Sequence, residues 1–350
     1  VSARLTNKIV IMFNWIIWKY SMSGLLPTLE KNHQGQERRI GVEIEFAGVD
    51  PNIVLAILVE LFGGIPKTNH VFDYSIKGSS LGDFILELDS SKLKSLGETL
   101  SESIEHKTSS HLELLALPLL SKAAELLIPW EIVTAPIPLS RYSELLPLIV
   151  KLRKAGALGT RHSLQFAFGL HLNPDLPDLS APTILRYLRA YCCLYDWIYI
   201  KEKVDWARKV TPYIRHFKPD YIKHILPMNY QPSMNELIDD YLRFNPTRNR
   251  DLDMLPLFMF IDEKRVRKKI ADVRVNARPT FHYRLPNCDI DNSEWNVDHP
   301  WKLWLEVEKL ANNKSQLDEL CVAYLSDSNR LTANIDSQWL KKLNQYMLGG

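Results

Sequence analysis

Five segments far apart in the chain share one pattern, an apolar residue at every second position, and nothing else constrains the fold as strongly. In Ile40–Ala47 the apolar positions are Ile40, Val42, Ile44 and Phe46, with Gly41, Glu43, Glu45 and Ala47 between them. Phe84, Leu86 and Leu88 alternate with Asp83, Glu87 and Asp89. Ile128, Trp130 and Ile132 alternate with Pro129, Glu131 and Val133. Leu164, Phe166, Phe168, Leu170 and Leu172 alternate with Ser163, Gln165, Ala167, Gly169, His171 and Asn173. Phe281, Tyr283 and Leu285 alternate with Thr280, His282 and Arg284. Successive side chains of a strand point to opposite faces, so this period marks strands with one face in a core and the other in a polar setting. One sheet, covered by helices on its apolar face, accounts for all five and predicts an α+β fold.

The spacing between these strands is helical. Asp50-Pro51 opens a helix that runs to Phe62 and stops at Gly63-Gly64. Helical patterns cover 92–127, Ser140 to about Gly156, and Ser180 to about Trp206. Ser233 with Glu236 forms a capping box for a helix reaching Arg243, and a last pair covers about 299–312 and 335–347. A domain over 37–315 is expected, with helical insertions near 92–127 and 180–245 and a helical tail over 316–350. Residues 1–36 read as a leader. Its apolar run Ile9–Trp18 is about half the roughly 20 residues that span a bilayer, so either upstream translation or an amphipathic anchor accounts for it.

Composition narrows the function classes. The 350 residues carry 43 lysines and arginines against 41 acids, with no basic cluster, which argues against a nucleic-acid partner. Cys192, Cys193, Cys288 and Cys321 lack CxxC spacing and read as reduced thiols, as in a cytoplasmic protein.

The polar face of the expected sheet holds Glu43, Glu45, Glu87, Asp89, Glu131, His171, Asn173, His282 and Arg284, with no lysine among them. Carboxylates this concentrated resist joint ionisation unless cations offset them. Acidic oxygens with one or two imidazoles suit Mg²⁺ or Mn²⁺. Glu43 and Glu45 lie on one face, about 6.6 Å apart at roughly 3.3 Å per residue, enough to serve two different cations. The Glu43–Glu45 pair alone leaves a plain solvated face equally open; the whole set favours metal.

Arg39-Ile-Gly-Val-Glu43-Ile-Glu45-Phe resembles the first strand of the amidoligase family, relatives of glutamine synthetase and glutamate–cysteine ligase. Further resembling stretches follow in order: Leu86-Glu87-Leu-Asp89; Pro129-Trp-Glu131-Ile-Val-Thr-Ala-Pro136; Ala167-Phe-Gly169-Leu-His171-Leu-Asn173-Pro174; and Arg278-Pro-Thr-Phe-His282-Tyr-Arg284-Leu-Pro286. The resemblance implies a glutamine synthetase-like carboxylate–amine ligase fold, a curved and mainly antiparallel sheet with helices behind it. ATP and two or three divalent cations would lie on the open face. Glu45, Glu131 and Glu87 or Asp89 would hold the cation nearer the substrate carboxylate, and Glu43 with His171 the one bridging the ATP phosphates. Arg284 would neutralise the transferring phosphoryl group, with Arg278 in a similar role, and Asn173 and Arg250 are candidates on the ATP side. The implied substrates are a carboxylate of a small amino acid, peptide or protein side chain, and an amine. Related ligases carry a glutamate where His282 stands; the histidine either ligates a softer cation such as Mn²⁺ or marks altered activity.

Two other classes stay open. A metal-dependent hydrolase would use the same face to activate water, although its usual HxH or HExxH strings are missing. A non-catalytic binding module descended from a ligase is kept alive by His282. Arg243, Arg248 and Arg250 flank a Pro-containing loop that reads as solvated, or as reaching phosphates or a substrate carboxylate. Trp197–Trp206 reads as core aromatic, and Gly63-Gly64 as a helix stop.

Overall fold

The alternating segments come together in a computed structural model that describes residues 25–70, 72–88, 129–162, 168–205, 208, 214–327 and 337–348. Strands β1 (Arg39–Phe46), β2 (Ile65–His70), β3 (Asp73–Lys77), β4 (Phe84–Leu88), β5 (Trp130–Thr134), β6 (Ile137–Pro138) and β7 (Leu170–Pro174) form one open sheet. Every pairing is antiparallel, in the order β2-β3-β4-β5-β1-β6, with β7 also on β1. β1 is the central strand. One of its edges takes β5 and β6, and the other takes β7.

The apolar positions of the alternation are the core. Ile40, Val42, Ile44, Phe46, Phe84, Leu86, Ile132, Leu170 and Leu172 are all buried. Helix α1 (Pro51–Phe62) starts where Asp50 accepts from the backbone N–H of Asn52, and Phe62 stacks on Phe84 at 5.2 Å. Helix α3 (Ala181–Lys201), N-capped by Ser180, is buried on most of its surface. It is the post against which the later helices stand: α4 (Pro219–Ile225), α5 (Met234–Phe244), α8 (Asp298–Asn312), α9 (Lys314–Ser326) and α10 (Ser337–Leu348). Tyr187 of α3 and Trp304 of α8 both pack on Phe281, which ties this layer to the sheet side.

Several expectations are adjusted. The helix expected from Ser140 is a 3-10 turn over Leu139–Leu145 followed by α2 (Leu146–Lys154), because Pro147 has no N–H to carry one continuous ladder. The helix expected to reach Trp206 ends at Lys201, where Glu202 caps it and Lys203 turns to a φ of 49°. Thr280–Leu285 is extended but forms isolated bridges, not a regular strand. Its N–H groups divide between two neighbours, Phe281 and Tyr283 donating to the β7 segment and Arg284 to Asp251. β2, β3, α6 (Leu255–Ile261) and α7 (Glu263–Arg267) have no counterpart in the sequence reading, whereas α4 falls in the helical insertion expected near 180–245 and α9 falls almost wholly in the helical tail expected over 316–350. Within the expected leader, Leu25 is buried and its carbonyl accepts from Trp301 Nε1 at 2.7 Å. The helical pattern over 92–127 and residues 1–24 lie outside the described residues. Among the described residues no helix is long and apolar enough to cross a membrane.

Candidate functional site

Strand register turns the alternation into two rows across the open face. Glu45 pairs with Glu131 on β5, Glu131 with Glu87 on β4, and Glu87 with Asp73 on β3. Neighbouring strands lie about 4.8 Å apart, so these carboxyl groups stand side by side. In the next row Glu43 pairs with His171 on β7 and with Val133 on β5. Both rows floor a cleft of about 390 Å³, whose wall includes Arg248, Arg274, Asn276, Arg278, His282 and Arg284. Eight sequence candidates therefore converge in lining one cleft: Glu43, Glu45, Glu87, Glu131, His171, Arg278, His282 and Arg284.

Glu43 is held by three neighbouring side chains. Its Oε2 lies 2.8 Å from His171 Nδ1, and its Oε1 accepts from Asn173 Nδ2 at 3.0 Å and Arg278 Nη1 at 2.7 Å. The carboxylate can only accept, so it fixes the amide of Asn173 with Oδ1 turned away, 2.6 Å from His282 Nδ1. That oxygen also only accepts, which places the proton of His282 on Nδ1 and leaves Nε2 with its lone pair. By the same logic His171 donates from Nδ1 to Glu43, and its Nε2 lies 3.6 Å from Glu45 Oε1. Both imidazoles are thus oriented through Nδ1 with Nε2 left for another partner, the arrangement that metal-binding histidines need.

The charges fit this. Burial works to raise the carboxyl of Glu43, but His282, His171 and Arg278 outweigh it and hold it well below the usual carboxylate range. Burial lowers His171, against the pull of Glu45 and Glu43, and lowers His282 further. Ionised acids beside neutral imidazoles are the protonation states that bind a cation.

Two groups bring three ligand atoms within 4.8 Å of one another: Glu43, His171 and His282, and Glu45, Glu131 and His171. Their carboxylate oxygens and imidazole nitrogens suit Mn²⁺ or Mg²⁺. His171 belongs to both groups, and with its Nδ1 proton on Glu43 only its Nε2 is open to a ligand. His282 completes the Glu43 group from a different element. Glu87 lines the cleft outside both groups, and Asp89 lies outside the described residues. Asn173 is buried and orients Glu43 and His282. Arg250 is not among the cleft-lining residues; its Nε donates to Asn245 Oδ1 at 2.8 Å, and Arg248 two positions earlier lines the cleft in its stead.

The sequence reading missed a support beneath this floor. Gly169 donates its N–H to Glu45 Oε2 at 2.5 Å, and a Cβ there would meet Arg208 Nη1 at 2.5 Å and His171 Nε2 at 3.0 Å. Arg208 is buried, its Nη2 donates to the Arg284 carbonyl, and burial brings it down to about 10. The glycine of the Gly169-x-His171-x-Asn173 stretch was the visible signal; Arg208 itself sits in no pattern. Arg274 and Asn276 reach the cleft from an irregular loop, which gives no periodicity to read.

No curated protein and no solved structure matches the chain. A family model described as "Putative amidoligase enzyme" matches residues 36–306, which holds every described strand and every cleft residue. By that match, over most of its length, the chain belongs to the amidoligase family.

Proposed function

We propose that the protein is an ATP-dependent carboxylate–amine ligase that forms an amide or peptide bond through an acyl phosphate, on a glutamine synthetase-like fold. One observation carries this reading: two cation-ready groups sharing His171 lie on the floor of a cleft whose wall is rich in arginine. A carboxylate resists attack by an amine because oxide is a poor leaving group, and transfer of the γ-phosphoryl group supplies a better one. Such transfer needs positioning and charge neutralisation more than covalent help.

Glu45 and Glu131, and Glu43 with His282, would hold the divalent cations, with His171 Nε2 completing one of the two sets, and the cations would neutralise phosphate oxygens when bound. Arg284, buried at the cleft wall, suits the oxygens of the transferring group, and a planar guanidinium can meet two of them at once. Arg278 balances Glu43 at the same wall. Asn173 keeps both Glu43 and His282 in their ligating orientation. The substrates on this reading are a small amino acid, peptide or protein side-chain carboxylate and an amine. Four free, buried cysteines support a reducing compartment such as the cytoplasm.

The test is phosphate release from ATP with Mg²⁺ or Mn²⁺, screened over amino acids paired with amines. Release that needs both substrates, and drops at least 100-fold in Glu43→Gln and Glu45→Gln, is expected. Turnover of an amide without ATP would transfer the site to a hydrolase. A melting temperature unmoved by either metal or ATP would leave a binding module.

A further inference from the structure

The cleft has a second polarity that the acid rows do not explain. The same cleft is lined by Arg248, which precedes α6, and by Arg274 and Asn276 on the loop after α7, together with Arg284. We propose that Arg248, Arg274, Asn276 and Arg284 form an oxyanion subsite, separate from the cation-binding acids, that grips a carboxylate or phosphoryl group of a substrate.

Three observations converge on it. Arg284 is 7% exposed, its Nη1 donates to the Arg248 carbonyl at 2.9 Å, and its Nε has no acceptor among the described residues. A buried donor without an acceptor is costly, and a bound oxyanion in reach of this guanidinium would satisfy it. Arg248 is half-buried, and among the described residues its guanidinium makes no hydrogen bond or ion pair. Burial, Arg284 and Arg274 push it below its ordinary value, and Asp253 and Asp272 draw it back only in part.

The loop that brings Arg274 is built, not loose. Arg267 braces it from α7, donating to the carbonyls of Asp272 at 3.0 Å and Val275 at 2.8 Å, and Val275 is buried. Asp272 grips Arg274 through Nε at 2.8 Å and Nη2 at 2.7 Å, which fixes where that charge sits. Planar guanidiniums favour oxyanions with two oxygens to share.

The chemistry has two sources in a ligase, a nucleotide phosphate or a carboxylate of the acid substrate that does not react. The assignment to one of these rests on the ligase reading; the existence of the subsite does not, so it is tested by binding without turnover. Affinities of tripolyphosphate and of glutarate are measured calorimetrically for the full chain, for Arg248→Met, for Arg248→Lys and for Arg243→Met. Arg243 is 60% exposed at its side chain and serves as a charge-matched control. At least a tenfold loss for one probe is expected in Arg248→Met, with partial recovery in Arg248→Lys and no loss in Arg243→Met. Loss for tripolyphosphate alone assigns the nucleotide end, and loss for glutarate alone assigns the second carboxylate of the acid. Equal affinities in the wild type and Arg248→Met for both probes, with folding verified by an unchanged melting transition, would overturn the proposal. Failure of phosphate release with this binding intact would overturn the ligase reading alone.

Discussion

At the scale of single residues, the site depends on a position with no side chain. Gly169 carries an ordinary φ, so its absence of a Cβ matters for space and not for backbone strain. A Cβ would press on the Arg208 guanidinium from 2.5 Å and on His171 Nε2 from 3.0 Å, and Arg208 is held by the Arg284 carbonyl behind it. Gly169→Ala should therefore displace His171 from both cation groups. Overpacking of this kind costs about 1–3 kcal/mol, and Mn²⁺ affinity, followed by paramagnetic relaxation of water, should fall at least tenfold. Mn²⁺ binding as tight as in the wild type would show that Arg208 moves aside freely. The residue scale is also where sequence reading was strongest and where it stopped. Glu43, Glu45, Glu131 and His171 are readable because alternate positions of a strand share a face. Arg248, Arg274 and Asn276 are not, since an irregular loop assigns no face to its side chains.

At the scale of elements, β1, β4, β5 and β7 are legible because one side of each is in the core and the other in a polar cleft. β2 and β3 are not. Ile65 is 67% exposed and Pro66, Lys67, Thr68 and Asn69 follow it, so an edge hairpin that buries little shows no contrast between faces. Buried acids are equally invisible in sequence, and one of them closes the central helix. Glu202, at the C-terminal end of α3, is buried with an unsatisfied Oε1, and burial pushes it up to about 8 against the pull of Arg208. Unfolded, a glutamate ionises near 4.5. Between those values the unfolded chain has released a proton that the folded chain retains. Stability from this group is therefore present at acid pH, falls as pH rises through that window, and levels off above about 8. In Glu202→Gln that loss disappears. The melting temperature of the variant relative to wild type should climb from pH 5 to pH 9, by the equivalent of about 2–4 kcal/mol. A difference that is flat across that range would mean that Glu202 is already ionised in the fold.

At the scale of the whole molecule, the family match ends at residue 306, yet the packing runs on past it. Glu308 of α8 is buried and accepts both Nη1 and Nη2 of Arg38 at 2.7 Å, together with Trp304 Nε1 at 2.9 Å and Tyr187 Oη at 3.3 Å. Arg38, fully buried, also donates to the carbonyls of Leu29 and Asp175. One ion pair thus holds the entry to β1, the exit from β7, α3 and α8, and the strand it anchors is the one that carries Glu43 and Glu45. Its worth lies in being complete. Two charges brought out of water recover their desolvation cost only when paired and fully hydrogen-bonded, and removing one leaves the other stranded. Glu308→Ala is therefore expected to cost about 3–5 kcal/mol, read as a lower urea midpoint with an unchanged slope. Replacing both partners by apolar residues, Arg38→Met with Glu308→Leu, should recover more than half of that loss, because no uncompensated charge remains. A double variant as unstable as Glu308→Ala would instead mean that the carbonyls of Leu29 and Asp175, deprived of the guanidinium, carry the cost. A single-variant loss below about 1 kcal/mol would show that water reaches Arg38 once its partner is gone, and that the sheet carrying the site is secured by its apolar face alone.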